Sequence, residues 1–306
     1  MSSLSPILIS GLVNIETTVR VDSFPIPYFP VRYPFFGVRS TVSGVGVNIS
    51  AALTTLGNSA RLLSIVGDDA PGRLAREALR DRGIDDCAVL AQAAETAQSA
   101  ILYDGEGRRQ IHVDLKDVQE QVYPAALFEE AAAGCRLAVL CNINFSRPLL
   151  ARARQRGMVI ASDVHAIADL DDPYNADFMR AADVLFMSHE NLPAPPEEWA
   201  EAVQARYGNR IVVVGLGAEG ALLAVQGEAL RRTPAVFTRP VVNTIGAGDA
   251  LFSAFLHVYT QTDDPYLAIR KAVVFASYKI GAAGAAEGFL DAAGLDLWVQ
   301  KADPTC

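Results

Sequence analysis

A repeating order runs through most of the 306 residues: a short apolar run, a turn, a helical pattern, then another apolar run. "PILISGLV" (6–13) and "ARLLSIVG" (60–67) read as buried strands. The spacing predicts helices over 45–57, apolar all round, and 72–83, amphipathic. The order continues with "RLAVLC" (136–141), a basic helix near 146–156, "MVIASD" (158–163), "DVLFM" (183–187), a helix over 196–207 and "RIVVVGLG" (210–217). Strands that are apolar on both faces and alternate with helices predict an α/β fold: a doubly wound, mostly parallel sheet with helices on both faces.

Two stretches interrupt the order. Residues 15–43 are rich in Pro and aromatics and carry no helical period. Residues 98–117, "QSAILYDGEGRRQIHVDLKD", read as two strands joined at Asp104–Gly107. Together they predict a small β-sheet over one edge, a lid at 13–43 and 98–117 inserted into a main unit of 1–12, 44–97 and 118–306. Ordinary surface hairpins are the other reading.

Composition narrows the partners. A chain that is 51% apolar and 20% charged suits a globular protein, and its net charge of −9 argues against nucleic acid or an anionic membrane. No uncharged apolar stretch reaches the roughly 18 residues of a membrane span. The start lacks any Lys or Arg before Arg20, which is wrong for a signal peptide. Cys87, Cys135, Cys141 and Cys306 show no zinc-ligand spacing and are expected to be reduced. A cytoplasmic location is expected.

"GLGAEG" (215–220) matches a dinucleotide fingerprint, but "ALLAVQG" after it reads as a strand, and the position 20 past Gly220 is Pro240 rather than an acid. An NAD-dependent dehydrogenase therefore fails its own context. "GDDAPGR" (67–73) lacks the Lys-Ser/Thr pair of a Walker A loop.

"NTIGAGDALFSAFL" (243–256) is more informative. Leu251, Phe252, Phe255 and Leu256 fall at helical spacing, so a helix begins near Gly246. Gly246, Ala247 and Gly248 leave its first N–H groups open to an anion such as a phosphoryl group. Asp249 sits in the first turn, where the helix dipole favours its ionised form. It is either a helix-start decoration or a base able to take a proton from an attacking hydroxyl.

This stretch resembles the C-terminal signature of the ribokinase, or PfkB, family of carbohydrate kinases, D-T-x-G-A-G-D followed by an apolar helix. "SGVGVNISAALTTLG" (43–57) resembles the family's upstream signature, "SIVGDDAPG" (64–72) its G-D-D/E-x-x-G turn, and "VVVGLGAEG" its strand and nucleotide-side turn. The matches occur in family order over about residues 6 to 290. The resemblance implies a β lid and an ATP- and Mg²⁺-dependent phosphorylation of an alcohol, most simply a primary hydroxyl of a sugar or sugar-like molecule. By position, Asp249 is similar to the family's base and Gly246, Ala247 and Gly248 to its anion hole. Asn14, Glu16, Gly44 and Asn48 are similar to substrate contacts, and Gly217, Gly220 and Thr244 to nucleotide contacts.

There are departures. Asn243 replaces an Asp tied to a monovalent-cation loop, which leaves potassium activation open. Ser43 replaces the first glycine of a pair, and Glu16 is one methylene longer than the usual Asp. The family's metal-positioning N-x-x-E falls on the degenerate "SHEN" (188–191), where Glu190 is the candidate carboxylate. His165 stands where some members carry Asn and is expected to have no catalytic duty.

The acceptor is left open among sugars, sugar phosphates and nucleosides. Six aromatics crowd positions 24 to 36, namely Phe24, Tyr28, Phe29, Tyr33, Phe35 and Phe36. Lid-to-lid packing in a homodimer, or cover for the main sheet, ranks above a nucleobase-stacking surface. Arg32, Arg39, Arg108, Arg109 and Lys116 are basic lid residues that either meet a sugar phosphate or stay solvated. A non-catalytic sugar or nucleotide sensor is the rival from another class; Asn243 and 188–191 favour it, and Asp249 with its collar opposes it.

Overall fold

The strand alternation sorts the core. Ile7 and Ile9 face one apolar cluster while Leu8 faces another, and Leu137 and Val139 part from Ala138 and Leu140 in the same way. A sheet buried on both faces follows, as seen in the computed structural model, which describes residues 5–106 and 108–302. Gly107 of the expected hairpin turn and Cys306 lie outside the described residues.

The main strands are β1 (Ile7–Ser10), β4 (Ala60–Gly67), β5 (Val89–Ala93), β8 (Leu137–Leu140), β9 (Val159–Asp163), β10 (Val184–Ser188), β11 (Ile211–Gly215), β12 (Ala221–Val225) and β13 (Arg231–Thr233). They lie in the order β13-β12-β11-β10-β9-β8-β1-β4-β5, parallel from β11 to β5, with β12 and β13 antiparallel. The smaller sheet holds β2 (Asn14–Arg20), β3 (Val38–Ser43), β6 (Gln98–Tyr103) and β7 (Arg109–Asp114) in the order β3-β2-β6-β7. β2 and β6 pair in parallel, so the two interruptions of the sequence form one sheet.

One face is covered by α1 (Val45–Thr55), α2 (Ala70–Asp81), α7 (Ala247–Thr262), α8 (Pro265–Lys279) and α9 (Ala292–Ala302). The other carries α3 (Ala125–Ala131), α4 (Arg147–Gln155), α5 (Ala176–Ala181) and α6 (Pro196–Tyr207). α2 starts two residues before the sequence reading because Asp69 caps it, accepting from Gly72 N at 2.8 Å, and Pro71 is tolerated in the first turn. Asp69 also accepts from Thr96 N at 2.9 Å, fixing this turn to the root of β6.

The apolar run at 6–13 is not one strand. It ends at Ser10, and Gly11 is packed so closely that an added Cβ would lie 2.7 Å from Cys141 Sγ. The aromatics at 24–36 do not cover the main sheet: Tyr28, Phe29, Tyr33, Phe35 and Phe36 are exposed on the connection between β2 and β3. Among the described residues, Cys87, Cys135 and Cys141 form no disulfide.

Candidate active site

The order of strands reverses at β1, and open α/β sheets bind ligands beyond the carboxyl ends of strands at such a point. A cavity of about 920 Å³ lies there, roofed by the small sheet. Every site residue nominated from the sequence lines it.

Gly246 caps α7 in the left-handed conformation (φ 75°), and a Cβ there would sit 2.8 Å from the Ala285 carbonyl oxygen. The N–H of Ala247 is taken by the Thr244 carbonyl at 3.2 Å. Those of Gly246, Gly248 and Asp249 have no partner among the described residues, so the open donors at this collar are these three rather than that of Ala247.

Asp249 is only 9% exposed, and its Oδ2 accepts from Asn48 Nδ2 at 2.7 Å. The dipole does not decide its ionisation. Burial pushes its carboxyl above the ordinary 3.8, with the Asn48 bond opposing. Gly44, the N-cap of α1, lets that helix reach the site: at φ 105° its missing Cβ would fall 2.5 Å from the Leu12 carbonyl oxygen.

Ser43 Oγ lies 3.1 Å from Glu16 Oε2 and 3.2 Å from Asn48 Oδ1, donating its one proton to either. Burial also raises the Glu16 carboxyl. Asn14 Nδ2 donates to Ser99 Oγ at 3.0 Å. Two acceptors in this wall, Asn14 Oδ1 and Glu16 Oε1, are buried without a hydrogen-bond donor among the described residues.

At the other end Gly217 (φ 59°) and Gly220 (φ 103°) form the β11–β12 turn, where a Cβ on Gly220 would strike the Thr233 carbonyl oxygen. "GLGAEG" is thus a hairpin, not a Rossmann turn. Val236, Val241, Val273, Ala276 and Ile280 add an apolar lining to the same cavity. Arg109 reaches across from β7: its Nη1 donates to Thr244 Oγ1 at 2.8 Å and its Nη2 lies 3.7 Å from Glu190 Oε1. No group of three or more His, Cys, Asp or Glu is placed to hold a metal ion among the described residues.

The model of the pfkB family of carbohydrate kinases matches residues 7–292. The chain belongs to that family. This kinase is 28% identical, over 96% of its length and 98% of the relative's, to acarbose 7(IV)-phosphotransferase of an Actinoplanes species. It is 30% identical to the ATP-dependent ribose-1-phosphate kinase of Halopiger xanaduensis, over 91% of this chain and 93% of the relative. The solved structure of a microbiome-derived acarbose kinase superposes with a TM-score of 0.87 at 27% identity, covering 97% of this chain and 99% of that one. The kinase is accordingly an ATP-dependent phosphotransferase with an alcohol acceptor.

Two residues of the kinase, Asp163 and Lys279, escaped the sequence reading. Asp163, at the end of β9, is buried with its Oδ2 facing Gly248, and its Oδ1 accepts from His165 N at 2.8 Å. An acid closing a strand in an α/β fold was the available signal. His165 lines the same wall with a left-handed backbone. Lys279, the last residue of α8, is fully buried and donates to the Ile245 carbonyl. Nothing in its local sequence marks it.

Proposed function

We propose that this kinase transfers the γ-phosphate of ATP to a hydroxyl of a polyhydroxylated, sugar-like acceptor. The observation that carries this reading is the pair of buried, unpartnered acceptors, Asn14 Oδ1 and Glu16 Oε1, on the wall that leads to Asp249. A buried acceptor without a donor costs about 1–3 kcal/mol, and two acceptor hydroxyls would satisfy both.

Asp249 takes the proton of a further, primary hydroxyl as its oxygen bonds to the γ-phosphorus. The bond from that phosphorus to the bridging oxygen breaks, and ADP leaves. The open N–H groups of Gly246 and Gly248 receive the equatorial oxygens, with Ala247 holding the turn through Thr244. Gly44 and Asn48 complete the acceptor wall. Gly217, Gly220 and Thr244 flank the nucleotide, whose base fits against the apolar lining at Val236 and Ala276. Arg109, now on Thr244 and near Glu190, is placed to exchange those contacts for phosphate oxygens.

Mg²⁺ is commonly held by one or two carboxylates together with substrate phosphates. Asp163 and Glu190 line the cavity and suit that sparse arrangement. When bound, the ion offsets charge on the phosphates. Residues 13–43 and 98–117 act as the lid that excludes water. The exposed lid aromatics support a homodimer formed through the lid, and dependence on ATP supports a cytoplasmic location. Those aromatics are absent from the cavity wall, which disfavours a nucleoside acceptor.

The test is ADP release with Mg²⁺ and ATP across sugars, sugar phosphates, nucleosides, acarbose and ribose 1-phosphate. Turnover on a sugar-like acceptor, lowered roughly 10²–10⁴-fold in Asp249→Asn, is expected. Equal rates in both proteins would remove Asp249 from the mechanism. ATP binding without turnover on any acceptor would favour a sensor.

A further inference from the structure

The resemblance to the family raises the matter of a monovalent metal ion at the turn preceding α7, and the residues present do not fit one. Asn243 is neutral, and both ends of its amide are engaged: Oδ1 accepts from Ile245 N at 2.8 Å, and Nδ2 donates to the Ala283 carbonyl at 3.0 Å. The Ile245 carbonyl, one residue before the Gly246 cap, receives the ammonium of Lys279. A metal cation beside it would bring two like charges together in a buried place.

We propose that the ammonium of Lys279 is a built-in monovalent cation for the turn that carries the anion hole, so that phosphoryl transfer needs no potassium. This rests on the kinase reading given above.

A buried charge persists only where its surroundings repay the loss of water. Lys279 is 0% exposed and has no carboxylate at ion-pair distance among the described residues. Burial pushes its pKa down to about 8, which still leaves it charged at neutral pH; Asp249 from α7, Glu16 from β2 and Glu287 from the segment before α9 favour the charge, and the Arg239 guanidinium opposes it. Two of these acids belong to the acceptor wall. The ammonium therefore offsets negative charge where the base and the phosphate meet.

It also fixes the turn in place. The N–H groups of Val242 and Asn243 both donate to the Ile280 carbonyl, at 2.9 and 3.0 Å, directly after Lys279. Gly246 packs on Ala285 in the same loop. Lys279 thus joins the end of α8 to the start of α7 through one charged bond. It touches no reacting atom in this geometry and is a positioning residue.

The experiment measures kcat, KM and the thermal midpoint of the full chain in about 150 mM potassium, sodium or tetramethylammonium chloride. Wild type is expected to show the same kcat and midpoint in all three, within about twofold and about a degree. Lys279→Ala is expected to lose about a hundredfold in kcat and to regain at least tenfold with potassium, but not with the bulkier tetramethylammonium. Its midpoint should rise in potassium, because a cation that binds only the folded state stabilises it. Lys279→Met, which fills the space, should show neither recovery.

Potassium-specific activation or stabilisation of wild type would overturn the proposal. So would a folded Lys279→Ala protein that keeps full activity, or one that is inactive and unrescued. If Lys279→Ala does not fold, the wild-type series decides. If wild type turns over no acceptor, the kinase reading fails by itself, and the midpoints still decide the role of Lys279.

Discussion

Asn48 and Asp249 stand 201 positions apart in the chain and share a 2.7 Å hydrogen bond at the meeting of α1 and α7. The amide donates to the carboxylate, so it favours the ionised base against the burial that opposes ionisation. A hydrogen bond to a charged group contributes about 1.5–3 kcal/mol. Asn48→Leu should therefore lower kcat at neutral pH by at least about tenfold and move the acidic limb of the kcat–pH profile upward. Superimposable profiles for the two proteins would show that the bond does not tune the base.

On the acid side the contribution of Asp249 and Glu16 to stability should run opposite to activity, and opposite to that of buried His257, whose imidazole is pushed down to about 4 and adds stability as pH rises. Asp249 and Glu16 are both raised by burial above their ordinary 3.8 and 4.5. Between those values and the raised folded ones, the folded chain keeps protons that the unfolded chain has released. Their contribution to stability is therefore present at low pH and declines as pH rises through that window. Activity rises through the same window, because the base must be ionised. Urea midpoints and kcat of wild type and Asp249→Asn measured from pH 4 to 7 (about the range concerned) check this: the His257 contribution is common to both, so the stability difference, wild type minus variant, should fall as pH rises.

Much of this fold could be read from local pattern, because its strands are short apolar runs and several helices carry clear boundaries. α6 was read correctly over 196–207. α3, α5, α8 and α9 were not anticipated: in α8 Ala272, Val273, Val274 and Phe275 are buried in succession, an apolar face too wide to show a clear helical period. The collar at Gly246–Gly248 was legible because missing side chains are a sequence property. The buried state of Lys279 was not, since a lysine ending an apolar helix looks the same whether it faces water or the turn before α7. The helix dipole at Asp249 could be read because it is local, whereas the burial that raises its carboxyl is tertiary and could not.

The left-handed cap should be the least replaceable part of the collar. Gly246→Ala meets two obstacles, a backbone at φ 75° and the Ala285 carbonyl oxygen 2.8 Å from the new methyl. Gly57→Ala is the control, since its φ is 89° but nothing lies within 4 Å of an added Cβ. Gly57→Ala should lose about 1 kcal/mol by strain alone. Gly246→Ala should lose about 2–4 kcal/mol and most of its kcat, because the turn must shift to relieve the contact. Equal denaturation midpoints for the two variants would mean that the loop at 281–286 yields without resistance.

The exposed aromatics of the lid carry the proposed homodimer. Tyr28, Phe29, Tyr33, Phe35 and Phe36 are all exposed on one connection, with Tyr33 stacked on Phe35, and large contiguous apolar patches are unusual on a monomer. Aromatic residues are favoured at interface cores, and the segment joins β2 to β3 in the sheet that roofs the cavity. Sedimentation velocity of the wild type should give a dimer. The double change Phe35→Arg and Phe36→Arg should give a monomer, because two cations per chain would have to be buried at the contact. Neither residue lines the cavity. The monomer should therefore bind ATP about as well as wild type, while KM for the acceptor rises a fewfold as the lid loses its support. A monomeric wild type would remove the lid interface outright. A variant that stays dimeric would place the interface on another face.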